Sequence, residues 1–204
     1  MARYTGPRVK VLRSLGLDLP GLTSKSMQRR PSKPGQHGAK RKGRKSDYGN
    51  QLSEKQKIRF NYGIGERQLR RYMKEARRSK QATGDKLAEL LERRLDNVVF
   101  RAGYAKTIPQ ARQLVNHAHF IINGKKVDIP SYRVNVGDKI TLRTASENLG
   151  VVIESLESPS LTRPDWMDVD AGKKLANIKS MPTRDSIPFE LDLQAVVEFY
   201  SKRM

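Results

Sequence analysis

The 204-residue sequence predicts an α+β protein: helices followed by a small antiparallel sheet, preceded by a basic extended arm. Apolar residues recur at helical spacing between Ser53 and Gly103. Asn123-Gly124, a dipeptide that accepts positive φ at both turn positions, lies between the runs "HFII" and "KKVDI". The closing stretch "DLQAVVEFYSKR" reads as a helix whose stripe through Val196, Val197 and Tyr200 needs a partner, and the helices of residues 53–79 have stripes to share.

Residues 1–46 read as a poorly ordered arm. Apolar residues thin out after Leu22, and Pro31, Pro34, Gly35, Gly38 and Gly43 punctuate "QRRPSKPGQHGAKRKGRK", so the segment is expected to order on a partner. Its candidate contacts are Arg3, Arg8 and Arg13, then Arg29, Arg30 and Gln36, then Lys40, Arg41, Lys42, Arg44 and Lys45. Tyr4, His37 and Tyr48 add groups that stack on bases.

From Ser53 the pattern turns helical. "SEKQ" has the form of a capping box, with Ser53 accepting from the backbone of Gln56, and the helix carries Lys55, Lys57 and Arg59 until Gly63. A second helix from about Glu66 to Ser79 places Leu69, Tyr72, Met73 and Ala76 on one face. Arg67, Arg70, Arg71, Lys74, Arg77 and Arg78 fall largely elsewhere. A third helix starts near Thr83–Asp85 and continues through "KLAELLERRLDNVVFRAG" on Leu87, Leu90, Leu91, Leu95, Val98 and Val99, with Gly103 as its stop. Thr107 caps a short fourth helix with Pro109 in its first turn; Ala111, Leu114 and Val115 face inward and leave Lys106, Gln110, Arg112 and Gln113 on the outer side. A second helix that is short and basic has the logic of one laid on nucleic acid.

The β part begins at the Asn123-Gly124 hairpin, with Lys125 and Lys126 at its tip, and "SYRVNVGDKITLR" supplies two more strands, bringing Ser131 and Arg133 beside it. Further on, Val151–Ile153 and Leu175–Ile178 read as strands and Trp166 as packing. Residues roughly 86–145 thus read as one compact module, helices first and a small sheet after, with basic groups along one edge.

Charge narrows the function. The net is +20, with 41 Lys+Arg against 21 Asp+Glu, and it is +11 over residues 1–50, +6 over 51–100, +6 over 101–145 and −3 over 146–204. Such a surplus repels itself in a compact chain and implies a polyanionic partner along the first three segments. Nucleic acid is favoured over membrane, since no amphipathic anchor, lipidation signal, signal peptide or spanning run is read from the sequence, and the protein is expected to work where it is made. No small-molecule substrate is implied. The absence of cysteine removes disulfides, thiolate catalysis and Cys-based zinc or iron–sulfur sites.

Enzyme chemistry finds no support. "GAKRKGRKS" (Gly38–Ser46) nearly matches a phosphate-binding loop, but Arg44 stands where lysine is needed and "PSKPGQH" cannot be the buried strand before it. His117 and His119 could share a metal, yet two imidazoles without an acidic cluster make a poor site, so they are read as phosphate donors or packing groups. No nucleophile–base or paired-carboxylate arrangement stands out, and no catalytic residue, metal or cofactor is expected.

The motifs together resemble the ribosomal protein S-four family of the bacterial and plastid small subunit. They are "RYTGPR" (3–8), "PGQHG" (34–38), "EKQKIRFNYGIGERQLRRY" (54–72), "LLERRLDNVVFRAG" (90–103), "QARQLVNHAHFIINGKKVDIPSYRV" (110–134) and "VVEFYS" (196–201). The resemblance implies a basic arm at 1–46, a helical domain at 47–93 completed by 187–204, and an inserted RNA-binding module of helices plus antiparallel sheet with its extension at 94–186, core 94–145. It also implies that the protein is a structural, primary rRNA-binding constituent of the small ribosomal subunit. It further implies binding to a multi-helix junction in the 5′ domain, nucleation of subunit-body assembly, contacts with neighbouring ribosomal proteins, a place on the path by which messenger RNA enters, and an influence on translational accuracy. Asn123, His117 and His119 are counted among the candidate RNA contacts. Many members hold zinc with four cysteines in the arm; this chain has none, which implies an arm ordered by RNA alone. Their His-Gly-His appears here as His117-Ala118-His119, which puts a need for glycine there in doubt. "LPGLTSK" and "TIPQARQLVNH" look cyanobacterial or plastid, placing the ribosome in plastid stroma or bacterial cytoplasm. An RNA-modifying enzyme of the pseudouridine synthase type, using the same module for docking, is the alternative. A repressor that binds its own messenger is compatible with the first reading.

Overall fold

The computed structural model describes residues 4–39, 43 and 45–201. Its described residues form an α+β fold of eight α-helices, two short 3-10 turns and one five-stranded antiparallel sheet. The chain divides into two compact units, residues 1–87 with 189–204, and residues 88–188.

The first unit is helical. Its helices are α1 (Arg8–Leu15), α2 (Asp47–Asn61), α3 (Glu66–Arg78) and α8 (Leu193–Ser201), with the start of α4 (Thr83–Glu92). The reading of residues 1–46 as an arm without a core is corrected over its first half. Val11 and Leu12 of α1, with Leu19 and Leu22, form a buried cluster against Leu15, Leu17, Met27, Phe60 and Phe189. Asn61 accepts from the Gly21 backbone N–H at 2.9 Å, and Asp18 accepts from the Ser26 hydroxyl and the Met27 backbone. Four leucine-sized apolar groups were enough; the sparse composition beyond Leu22 hid them.

Helix α2 also starts earlier than expected. Ser46, not Ser53, is its N-cap, accepting from the Gly49 backbone at 3.2 Å. Ser53 sits a turn and a half inside, where its hydroxyl donates to the Gly49 carbonyl, a bond open to serine anywhere in a helix. The α3 stripe falls where its periodicity put it, with Leu69, Tyr72, Met73 and Ala76 buried. Helix α8 packs on α2, as the unpartnered stripe required, burying Leu193, Val196, Phe199 and Tyr200, while Val197 is half-buried. Polar groups stitch the two helices: Gln51 donates to Glu198 at 3.0 Å, and Glu54 accepts from the Asp192 backbone at 3.0 Å.

The second unit holds the rest of α4, then α5 (Leu95–Arg101), α6 (Ile108–Asn116), α7 (Gly150–Glu157) and the sheet. The expected single helix from Thr83 to Gly103 is in fact α4 and α5, broken at Arg93–Arg94. Arg94 is extended (φ −67°, ψ 136°) and forms an isolated antiparallel bridge with Arg133. The Arg93 carbonyl accepts from Val134, while the Leu95 and Asp96 N–H groups donate to Tyr132 and Pro130. The apolar stripe runs on across the break because both helices bury it, so periodicity alone could not show the interruption. Thr107 caps α6 as expected, accepting from Gln110.

The strands are β1 (Phe120–Ile122), β2 (Lys125–Lys126), β3 (Lys139–Leu142), β4 (Met167–Asp170) and β5 (Leu175–Ile178), ordered β2-β1-β3-β5-β4. The hairpin turn is Asn123-Gly124, with φ of 49° and 79°. Two sequence expectations fail here. "SYRV" makes the Arg133 bridge instead of a strand, since its backbone is committed to the α4–α5 break. Val151–Ile153 lies in α7, where Val152 and Leu156 share the buried side at helical spacing. Leu175–Ile178 is a strand, and Trp166 is buried. Phe120, Ile122, Ile140, Leu142, Ala176 and Ile178 line the core side of the sheet.

Ala118 has φ 59°, so the left-handed turn after α6 persists where the resemblance expects glycine. A Cβ in that region is disfavoured by about 1–2 kcal/mol. Ala118→Gly should therefore raise stability by about 1 kcal/mol despite its freer unfolded chain, measured by denaturant unfolding.

Candidate nucleic-acid interface

Each unit separates its cations into those bonded within and those turned to solvent. In the first unit Lys55 is buried; its Nζ meets Glu66 Oε2 at 2.9 Å and lies 4.9 Å from the Phe199 ring centroid. The Tyr200 hydroxyl donates to the other oxygen of Glu66 at 2.8 Å. Burial works to raise the Glu66 carboxyl, but the bonds from Lys55 and Tyr200 and the charges of Lys55 and Arg59 outweigh it and hold it below the usual carboxylate range. Burial, then the bond to Glu66, pushes the Tyr200 phenol well up. Lys57 is committed too, to Glu54 at 2.7 Å and to the Glu190 carbonyl at 3.2 Å. These carboxylates and the Glu190 carbonyl thus hold Lys55 and Lys57 within the fold.

Arg59 is half-buried, its guanidinium 5.8 Å from the Phe60 ring, against whose edge Tyr4 also packs at 5.1 Å. Arg13 donates to the Ser32 and Lys33 carbonyls and so closes the N-terminal loop. Arg8, Arg29, Arg30, Gln36, His37 and Lys45 are exposed, Lys45 donating to Ser53 Oγ at 3.0 Å. Tyr48, 48% exposed, stacks on Phe199 at 5.9 Å. Gly38 is glycine for space: a Cβ there would lie 1.8 Å from the Lys33 carbonyl oxygen. Arg3, Lys40, Arg41, Lys42 and Arg44 lie outside the described residues.

Helix α3 gives this unit its outward charge. Arg67, Arg70, Arg71, Lys74, Arg77 and Arg78 are all exposed, with the buried stripe fixing the other side. The same periodicity that places Arg70 and Arg71 outward places Lys74, Arg77 and Arg78 there too.

In the second unit Arg112 is the main correction. It is 7% exposed and turned inward, its guanidinium on Asp96 Oδ2 at 2.6 and 3.0 Å. Helical spacing gave it an outer angle, but the fully buried Asp96 draws it in. Lys106 pairs with Glu154, and the Gln110 side chain accepts from the Lys106 backbone. Asn123 is exposed, yet its amide is spent within the fold, donating to Asp138 and accepting from Lys139. Gln113, His117, Lys125 and Lys126 are exposed; Ser131 and Arg133 are half-buried. His119 is half-buried with Nδ1 at 2.8 Å from Ser146 Oγ. Burial, with the nearby charges of His117 and Arg143, moves its pKa below the usual imidazole value. The exposed Lys139 and Arg143 of the hairpin neighbourhood went unnoticed in the sequence; strand register, which pairs Ile122 with Ile140, is what brings them beside the hairpin.

Among the described residues no group of three or more His, Asp or Glu is placed to hold a metal, and no helix is long and apolar enough to cross a membrane. Outward cations on a rigid apolar frame define a polyanion-binding protein of the α+β class. Residues 3–92 match the ribosomal protein S4/S9 N-terminal domain, and residues 93–140 match the S4 domain. The small ribosomal subunit protein uS4 of Methylobacillus flagellatus and uS4B of Nitrosomonas europaea are each 55% identical over 100% of both chains. A uS4 of a Synechococcus species is 51% identical over the same share. The chain belongs to the S4 family of ribosomal proteins.

The depressed Glu66 binds fewer protons folded than unfolded, so its contribution is present above the carboxylate range and lost as pH falls below about 4.5. Glu66→Gln should cost about 1–2 kcal/mol near neutrality, less than a fully buried pair because the carboxylate is 33% exposed. It should also flatten that acid limb, as read from unfolding curves at several pH values.

Proposed function

We propose that the protein is a structural constituent of the small ribosomal subunit that binds small-subunit rRNA directly. Helix α3 carries the reading. Its six exposed cations, Arg67 to Arg78, fall on successive turns about 5 Å apart along the axis, against two half-buried acids, Glu66 at 3.8 Å from Arg70 and Glu75. Spaced point charges on a rigid helix suit phosphates and 2′-hydroxyls of folded RNA, read by shape more than by base. The exposed Gln113, His117, Lys125 and Lys126 of the second unit offer groups of the same kind.

The finer reading follows the family. The protein binds a junction in the 5′ domain, nucleates assembly of the subunit body, touches neighbouring ribosomal proteins and the path by which messenger RNA enters, and contributes to translational accuracy. Arg3, Lys40, Arg41, Lys42 and Arg44 extend the RNA-binding surface through the arm. The working domains are the arm, the helical domain completed by the last helix, and the inserted RNA-binding module. The ribosome is one of plastid stroma or of a bacterial, cyanobacterial-like cytoplasm, and the bacterial relatives named above are compatible with both. Their names are those of ribosomal proteins, which disfavours the RNA-modifying enzyme.

Binding of the full chain to a transcript of the 5′ domain should weaken steeply with salt. The triple change Arg71→Gln, Lys74→Gln, Arg78→Gln should lower the slope of log K against log salt by about 2.1–2.7, roughly 0.7–0.9 for each phosphate left without its cation. Lys57→Gln, whose charge is spent inside, should leave the slope unchanged. An unaltered slope in the triple variant, or pseudouridine formation on the RNA, contradicts the reading.

A further inference from the structure

Asp96 has no exposed surface, and its carboxylate gathers five donors. Oδ1 accepts from Arg94 Nε at 3.0 Å and from the Asn97 backbone at 2.9 Å; Oδ2 accepts from Arg94 at 2.7 Å and from two nitrogens of Arg112 at 3.0 and 2.6 Å. The three side chains belong to different pieces of the second unit. Asp96 is in the first turn of α5 and its own N–H donates to Pro130; Arg94 is the break whose backbone bridges Arg133; Arg112 is in the middle of α6. One buried carboxylate therefore ties α6 to the start of α5, whose backbone in turn holds the 130–134 segment. Gln113, His117, Ser131 and Arg133 stand on or beside those pieces.

We propose that Asp96 and Arg112 are positioning residues for RNA recognition: without touching RNA, they hold the α6 face and the 130–134 segment in the one arrangement that fits a folded RNA. This rests on the rRNA-binding reading above. A carboxylate stripped of water tolerates little reduction in its donors, and a two-pronged guanidinium bond fixes direction as well as distance. A shift of α6 by about an ångström would break the fork, so the outer face is set before RNA arrives and little ordering remains to be done on binding. The inward turn of Arg112, which removes it from the surface, is what gives it this role.

The test uses the full chain, a transcript of the 5′ domain and an unrelated RNA duplex. Arg112→Met removes the fork and leaves Asp96 with Arg94 and Asn97. With folding checked by near-UV circular dichroism, the variant should bind the transcript roughly tenfold more weakly, as when a group supporting a binding residue from behind is removed. It should bind the unrelated duplex as the parent does and keep the parent's salt slope, because every surface cation remains. Arg112→Lys, which keeps the charge but not the fork, should recover only part of the affinity. A slope lowered by about 0.7–0.9 would make Arg112 a direct phosphate ligand, and full affinity in the folded variant would make the cluster merely structural; either overturns the proposal. If Arg112→Met does not fold, Arg112→Lys carries the test through the same three readings. A parent chain that binds the transcript no better than the duplex overturns the rRNA reading itself, before any variant is considered.

Discussion

A chain with a net charge of +20 must place its cations before it can fold, and this sorting underlies the rest of the structure. A buried charge without a partner costs several kcal/mol. The buried cations are accordingly matched: Lys55 by Glu66, Arg94 and Arg112 by Asp96, and Arg101 by Glu92 at 3.6 Å. Lys57 and Arg93, nearly buried, are held by Glu54 and Glu89. Acids of the first 145 residues are drawn into these internal pairs, so basic surplus is left at the surface, α3 included. The pairs that build the core thus also create the charged face.

The N-terminal segment solves a different problem by a similar economy of parts. It is closed without cysteine, by an apolar cluster around Leu12 and Leu19, with Asn61 holding the Gly21 backbone, Asp18 holding Ser26 and Met27, and Arg13 holding the Ser32 and Lys33 carbonyls. Short apolar runs and a few side-chain-to-backbone bonds give α1 through Leu22 a core of its own.

Much of this was legible in the sequence where the signal is local. The α3 stripe, the Thr107 cap, the Asn123-Gly124 turn and the need of the last helix for α2 all follow from periodicity or from turn chemistry. The misreadings mostly share one cause: bonds between distant residues. The break at Arg93–Arg94 is made by the 130–134 segment, about forty residues on, and is invisible to a helical pattern that both halves satisfy. Arg112 was placed outward by its angle on α6 and is pulled inward by Asp96, sixteen residues earlier. Ser53 and Ser46 are both good caps, and the earlier helix start was hidden by the basic run before it. Of the candidate site, exposure was readable and commitment was not. Arg67, Arg70, Arg71, Lys125 and Lys126 stand outward as expected, whereas Lys55, Lys57, Asn123 and Arg112 spend their polar atoms within the fold.

If the outward cations are an unneutralised surplus matched to RNA, salt must act oppositely on the free and bound protein. The direct measurement is the Tm of the chain alone and of its complex with the 5′-domain transcript, over a range from low to moderate monovalent salt. The account predicts that Tm of the free chain rises, as repulsion among α3 and arm cations is screened. It predicts that the added Tm of the complex falls, as attraction to phosphate is screened. A free chain whose Tm falls with salt, or a complex whose gain is insensitive to it, would contradict the account.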